Sequence, residues 1–177
     1  MTEPEVSLLL AINYIQKHKT EKDVKVSIDG AHIKTGNQIH FNITGYLKSQ
    51  GLQKIDNDLT RWQGIYEMEG YPSYIRISST PGIGDVNIEL LDGKILYVES
   101  KKGKSANKSG QEYMLMREAI GQLMTGCEMS DSIIPVVAVP STPKSKELAL
   151  RWSVLPQIEK VGIHFILVKE DGEIEYF

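Results

Sequence analysis

Apolar residues recur along the chain with two periods, one typical of helices and the other of strands. In residues 5–18 they return every three or four positions, which predicts a helix with one face towards the core. The same spacing predicts further helices over residues 56–68, 110–125 and 144–158. Short runs of β-forming residues between turn-forming residues predict strands at residues 25–28, 38–43, 74–78, 85–90, 95–101, 133–139 and 163–168. This order of elements indicates an α/β fold, a mixed sheet flanked by helices.

Length and composition point to a single globular domain. The chain has 177 residues, of which 41% are hydrophobic and 24% charged, and it contains no repeat or low-complexity linker. We therefore expect one domain over residues 1–177, in which residues 1–50 form an N-terminal elaboration of a core at residues 56–177. No apolar run reaches the roughly 18 residues that a membrane span requires, and residues 7–15 lack the features of a signal peptide.

Cysteine content and charge narrow the function classes. Cys127 is the single cysteine, so the chain can form neither an intramolecular disulfide nor a thiolate cluster for zinc. Together with the missing signal peptide, this favours a cytoplasmic protein. The formal net charge of −3 argues against a surface coated with nucleic acid but permits a locally basic groove.

The strands at 85–90 and 95–101 are joined by a short turn that ends at Gly93, and the loop length decides which residues face each other. A two-residue loop would place apolar Val86 opposite charged Glu99. A three-residue loop with Gly93 in the left-handed conformation pairs apolar residues with one another. The pairs in this second register are Leu90 with Lys94, Ile88 with Leu96, and Val86 with Val98. We predict the second register.

The second register gathers charged side chains on the other face of the hairpin. Asp85 lies opposite Glu99 there, and Lys101 follows two residues later on the same side. Two facing carboxylates repel each other unless a cation lies between them, and hard oxygen ligands, including the Ser100 carbonyl, suit Mg²⁺ or Mn²⁺. A bound ion could contact a phosphate oxygen and activate a water that Lys101 orients or helps to deprotonate. The alternative is a cross-strand salt-bridge cluster on a solvated face, with Asn87 beside it.

On these residues the chain resembles the PD-(D/E)xK nuclease superfamily, over about residues 76–139. The resemblance implies a restriction endonuclease-like αβββαβ core. It assigns metal binding and catalysis to Asp85 and to the Glu99-Ser100-Lys101 segment, although Gly84 stands where the family usually has proline. The family often carries a glutamine on the following helix, for which Gln122 is the first choice and Gln111 the weaker one.

The resemblance also implies an acidic residue on a helix before the first core strand. Asp58 is our choice for this further metal ligand, with Glu67, Glu69 and Glu5 as alternatives. The basic segment after the second strand is expected to follow a nucleic-acid backbone, unless it is an ordinary surface loop. Its lysines are Lys102, Lys104 and Lys108.

The sequence therefore predicts a Mg²⁺- or Mn²⁺-dependent DNA endonuclease, with RNA left open as a substrate. Many members of the superfamily act as dimers, but no segment of this chain identifies a homodimer interface. Two alternatives remain: a nucleic-acid-binding module on the same fold without catalysis, and a protein-interaction domain.

Overall fold

A nine-stranded mixed sheet organises the molecule, with helices on both faces, as the sequence predicts for the fold class. The computed structural model describes the chain except residues 57, 59, 81, 83 and 104–109. The helices in this part are α1 (Glu3–Gln16), α2 (Gly30–Ile33), α3 (Ile43–Ser49), α4 (Gln111–Gly126), α5 (Pro143–Ser153) and α6 (Pro156–Val161). The strands are β1 (Val24–Ser27), β2 (Lys34–Thr35), β3 (Gln38–Ile39), β4 (Leu52–Lys54), β5 (Gly64–Met68), β6 (Ile75–Ser78), β7 (Val86–Glu89), β8 (Ile95–Ser100), β9 (Ile133–Pro140), β10 (His164–Val168) and β11 (Ile174–Tyr176).

The order of strands brings distant segments of the chain together. The sheet runs β11-β10-β9-β8-β7-β1-β6-β5-β4, while β2 and β3 form a separate small hairpin. β8 lies between β7, which is antiparallel to it, and β9, which is parallel. β1 is inserted between β6 and β7, although almost 60 residues separate it from β7 along the chain.

Two hydrophobic cores lie on opposite faces of the sheet. α1 begins with a capping box, in which the Thr2 hydroxyl accepts from the Glu5 backbone and the Glu5 carboxylate accepts from Thr2. From residue 6 to residue 15 every side chain of α1 is buried, so the helix fills one core rather than lying on its surface. The second core is formed by α4, α5 and α6 against β9 and β10. Residues 1–50 were expected to form an elaboration outside the core. Within this segment, α1 and β1 contribute buried residues to the first hydrophobic core.

The predicted hairpin register is confirmed. Val86 pairs with Val98 and Ile88 with Leu96. The Leu90 N–H donates to the Lys94 carbonyl at 2.7 Å, and Gly93 takes the left-handed conformation with φ at 83°. The apolar pairs lie on the face that packs against α1.

The predicted helix at residues 56–68 is wrong, because its second half is strand β5. β5 pairs with β4 and β6 and buries Tyr66 and Met68 on alternate positions. Gly64 has φ at 146°, and an added Cβ there would collide with the Asp56 carboxylate, which accepts the Ile65 N–H. Sheet pairing overrides the helical spacing of the apolar residues in this segment.

Two other predicted elements differ from the structure in extent. The strand expected at residues 38–43 is short, because Asn42 caps α3 by accepting the Gly45 N–H. The helix expected at residues 144–158 is divided into α5 and α6 before Pro156, since proline lacks the N–H that would continue the first helix. Among the helices of the described residues, none combines the length and apolar character that crossing a bilayer demands.

Candidate active site

Asp85, Glu99 and Lys101 come together where β7 begins and β8 ends. The Asp85 N–H donates to the Val98 carbonyl at 2.8 Å, just beyond the last ladder pair of Val86 with Val98, so Asp85 lies at the end of the paired segment close to Glu99. The Ser100 N–H donates to the Asp85 carboxylate at 2.7 Å. Glu99 and Lys101 are buried, with 9% and 4% of their surfaces exposed. The predicted convergence of these three charged residues is therefore present in the structure.

The backbone before β7 explains why glycine stands before Asp85. Gly84 has φ at 69°, and a Cβ at this position would meet the Tyr97 ring at 2.8 Å and the Val98 carbonyl at 3.0 Å. The Tyr97 hydroxyl in turn donates to the Gly126 carbonyl at 3.2 Å, which joins the hairpin to the end of α4. On the other side, the Asp85 carbonyl accepts from Ser27 of β1 at 2.8 Å. Asp85 is thus held from two neighbouring strands.

Both carboxylates resist ionisation. Burial raises the pKa of Asp85 to about 6, against the hydrogen bond from Ser100, which lowers it, and Glu3 raises it further. Burial raises the pKa of Glu99 to about 7, with Asp85 adding to the rise and Lys101 opposing it. A cation between the two groups would favour their charged forms and relieve this cost.

Glu3, in the first turn of α1, is an acidic residue of this site that the sequence analysis did not select. Its carboxylate lies 4.0 Å from the Lys101 Nζ and 3.6 Å from Nδ1 of His32. Burial raises the pKa of Glu3, while Lys101 lowers it. Glu5, in the same turn, is occupied by the capping box of α1, where its carboxylate accepts from the Thr2 N–H. Glu5, one of the alternatives considered, therefore has a structural role.

Lys101 also contacts α4. Its Nζ lies 3.2 Å from the Glu118 carboxylate, so the ammonium joins helices from the two faces of the sheet. One turn later, Gln122 lines a cleft of about 500 Å³ together with Asp85 and Glu99. Gln122 is therefore at the site, as the resemblance implied, whereas Gln111 is the first residue of α4 and does not line this cleft.

Ser100 and Lys102 flank the charged groups in different ways. Ser100 is fully buried, and its hydroxyl accepts a hydrogen bond from Ser7 of α1 at 2.9 Å, while its backbone forms part of β8. Lys102 is exposed directly after Lys101. The two further predicted lysines, Lys104 and Lys108, lie outside the described residues.

The structure does not bring Asp58 to this site. Asp58 is exposed in the connection between β4 and β5, where its carboxylate accepts from the Thr60 N–H and hydroxyl and lies 3.5 Å from Nε of Arg61. β1 and β6 separate β5 from β7 in the sheet. Glu67 lies in β5 and Glu69 directly follows it, so these alternatives are on the same distant side. The order of strands, which the pattern of residues does not reveal, removes all three from the candidate ligands.

The donor atoms at the site fit a hard divalent cation. Within the described ranges, no three His, Cys, Asp or Glu side chains form a group that could hold a metal ion by themselves. Mg²⁺ keeps several waters and needs only one or two carboxylates from the protein. Asp85 and Glu99 supply two carboxylates in one cleft and Ser100 a backbone carbonyl, all of them oxygen ligands. This set suits Mg²⁺ or Mn²⁺ better than zinc.

Comparison of the chain with models of protein families, with curated proteins and with solved structures finds no match. The function has to be argued from the chemistry of these residues.

Proposed function

We propose that the protein is a nuclease that hydrolyses DNA phosphodiester bonds with Mg²⁺ or Mn²⁺. The observation that carries the proposal is a pair of carboxylates, the half-buried Asp85 and the buried Glu99, which line one cleft beside Lys101. Raised pKa values at both acids indicate a site that gains from binding a cation. Without a cation this acidic cleft would repel a phosphodiester.

The order of elements supports the same proposal. α1, β1, β7, β8, α4 and β9 follow one another as helix, three strands, helix and strand, which is the αβββαβ order of the restriction endonuclease-like core. The segment between β1 and β7 is then an insertion that extends the sheet with β6, β5 and β4. Glu3 on α1 takes the place of the acidic residue that the superfamily carries on its first helix.

Each residue has a defined task in this proposal. Asp85, Glu99 and the Ser100 carbonyl would hold the ion. The chemistry that Mg²⁺ or Mn²⁺ supplies when bound is polarisation of a phosphate oxygen and a lowered pKa for a bound water. Lys101 donates hydrogen bonds that orient the attacking water, and Gln122 contacts the water or the phosphate from the α4 side of the cleft.

The position of Lys101 favours orientation over proton removal. Its Nζ lies 3.2 Å from Glu118 and 4.0 Å from Glu3, and these two carboxylates hold it in place as a hydrogen-bond donor. Lys102, which is exposed next to the site, is placed to contact a phosphate of the substrate backbone.

Cleavage of DNA by the purified protein tests the proposal. Linear, circular, single-stranded and branched DNA would be incubated with Mg²⁺ or Mn²⁺, using wild type, Asp85→Asn and Asp58→Asn. We expect Asp85→Asn to abolish cleavage, whereas Asp58→Asn, the same change of acid to amide at the distant loop, should leave it intact. Metal-independent cleavage, or no cleavage of any of these substrates, would contradict the proposal.

Calorimetry separates the enzyme from the non-catalytic binding module. The enzyme should bind Mn²⁺ and lose that binding in Asp85→Asn. A pure binding module would bind DNA equally well with and without metal, and Asp85→Asn would not change this.

A further inference from the structure

The ammonium of Lys101 forms no ion pair with Glu99, which precedes it by two residues, or with Asp85, which lies before β7. Within the residues that the structure describes, its ion pairs within 4.0 Å are with Glu118 and Glu3, and none is with Asp85 or Glu99. Lys101 nevertheless lies close enough to the acid pair to lower the pKa of both groups. Two sets of carboxylates therefore attract one buried ammonium.

The side chain of Lys101 is the movable part of this arrangement. Its backbone N–H donates to the Ala138 carbonyl of β9 at 2.9 Å, so the main chain is fixed in the sheet. Four side-chain torsion angles separate the backbone from Nζ, and the nearest anion, Glu118, is on a different element. Without that anion, the ammonium would be drawn to Asp85 and Glu99, where it would neutralise the charge that attracts a divalent cation.

We propose that Glu118 is a positioning residue, which holds the Lys101 ammonium to the α4 side and leaves Asp85 and Glu99 open to a divalent cation. This inference rests on the proposed function, because it assumes a cation at the acid pair. α4 then contributes two residues to the site, Gln122 and Glu118. Glu118 acts through Lys101 and needs no contact with the substrate.

Calorimetric titration with Mn²⁺ in the absence of DNA tests the inference without depending on catalysis. We expect Glu118→Gln to weaken Mn²⁺ binding by about tenfold, the size typical for partners that orient the groups of a metal site. Glu118→Asp keeps the charge and should retain part of the effect. Glu159→Gln, the same change on the exposed surface of α6, should bind Mn²⁺ like wild type.

The double variant Lys101→Met/Glu118→Gln decides whether the effect passes through Lys101. If Glu118 acts by holding the ammonium, then Glu118→Gln should not weaken Mn²⁺ binding further once Lys101 has been replaced by methionine. A tenfold loss that persists in the Lys101→Met background would show a general charge effect and overturn the inference.

Failure of the inference is distinguishable from failure of the proposed function. Mn²⁺ binding to wild type that Glu118→Gln leaves unchanged would overturn the role of Glu118 and keep the nuclease proposal. A wild type that binds no Mn²⁺ and cleaves no DNA would overturn both. Glu118 has 56% of its side chain exposed, so the fold should survive either substitution, and circular dichroism checks this.

Discussion

The two faces of the β7–β8 hairpin share the same strands and the same turn, but their side chains differ in polarity and in their effect on stability. On the face towards α1, Val86, Ile88 and Val98 are apolar and have no measurable exposure. On the other face, Asp85 and Glu99 are carboxylates kept in surroundings that disfavour their charge. The first face stabilises the fold, whereas the second lowers stability at neutral pH. Buried ionisable groups that a fold retains at such a cost are candidates for function.

Replacement of Lys101 should produce the largest effect, on the acidic face. We expect Lys101→Ala to slow DNA cleavage by about 10² to 10³-fold, the size typical for loss of one hydrogen-bond donor at a reacting centre. Single-turnover cleavage at saturating Mn²⁺ measures the effect. A rate equal to that of wild type would show that Lys101 has no catalytic role. It would also contradict the proposal that the acidic face is an active site.

Replacement of Ile88 tests the apolar face. Ile88→Ala should lower the free energy of unfolding by about 3 kcal/mol, because it leaves a cavity in the core beneath α1. Urea unfolding measures this. The cleavage rate per folded molecule should stay within about twofold of wild type, since Ile88 points away from the acids. A large loss of rate in folded protein would show that the two faces are not separable.

Glu99→Gln should stabilise the metal-free protein at high pH. The folded pKa of Glu99, about 7, lies above its ordinary value of 4.5, so the folded state binds more protons than the unfolded state between these limits. Stability is therefore lost as the pH rises through this window. At pH 8 with a chelator, the free energy of unfolding of Glu99→Gln should exceed that of wild type by about 2 kcal/mol. This value is the shift in the pKa of Glu99 converted at about 1.4 kcal/mol per pH unit and then reduced. At pH 4 the two proteins should be close.

Glu175 provides the matched control for this pH dependence. Lys146 and Lys169 lower the pKa of the Glu175 carboxyl through hydrogen bonds, so its charge stabilises the fold. Glu175→Gln should therefore not stabilise the protein at pH 8. If both variants changed the free energy of unfolding in urea by the same amount, the conclusion that the charge of Glu99 destabilises the fold would be contradicted.

Lys102→Ala should have the smallest effect, because this residue is exposed beside the acidic face. We expect DNA affinity to fall by only a few fold and the slope of log K against log salt to decrease by about one, as for one lost phosphate contact. Fluorescence anisotropy in calcium or chelator, at several salt concentrations, measures both. Lys48→Ala on α3 is the control, and equal slopes for the two variants would remove Lys102 from the DNA contact.

The sequence predicted the parts of the molecule that local rules determine. The alternation of apolar residues and the position of Gly93 determine the hairpin register, and the register brings Asp85 and Glu99 close together just beyond the pair of Val86 with Val98. Local rules failed at residues 56–68, where a helical spacing of apolar residues is overridden by pairing with β4 and β6. A short apolar stripe does not contain the information that distinguishes these outcomes.

Glu3 and Glu118 could not be assigned from the sequence for a different reason. Glu3 meets Lys101 across 98 positions of the chain, because α1 packs on one face of the sheet and begins beside the end of β8. Glu118 meets Lys101 because α4 crosses the other face. Both contacts depend on how the helices lie on the sheet. The sequence motif contains only Asp85, Glu99 and Lys101, which the neighbouring strands β7 and β8 bring together.

The central position of β8 has a consequence for the newly made chain. The strand that carries Glu99 and Lys101 has a free edge until β9, which begins at Ile133, has left the ribosome and paired with it. The pairing of Glu99 with Val137 therefore cannot form while synthesis is still at α4. The sheet around Glu99 is therefore completed only after the segment that follows α4 has become available for pairing.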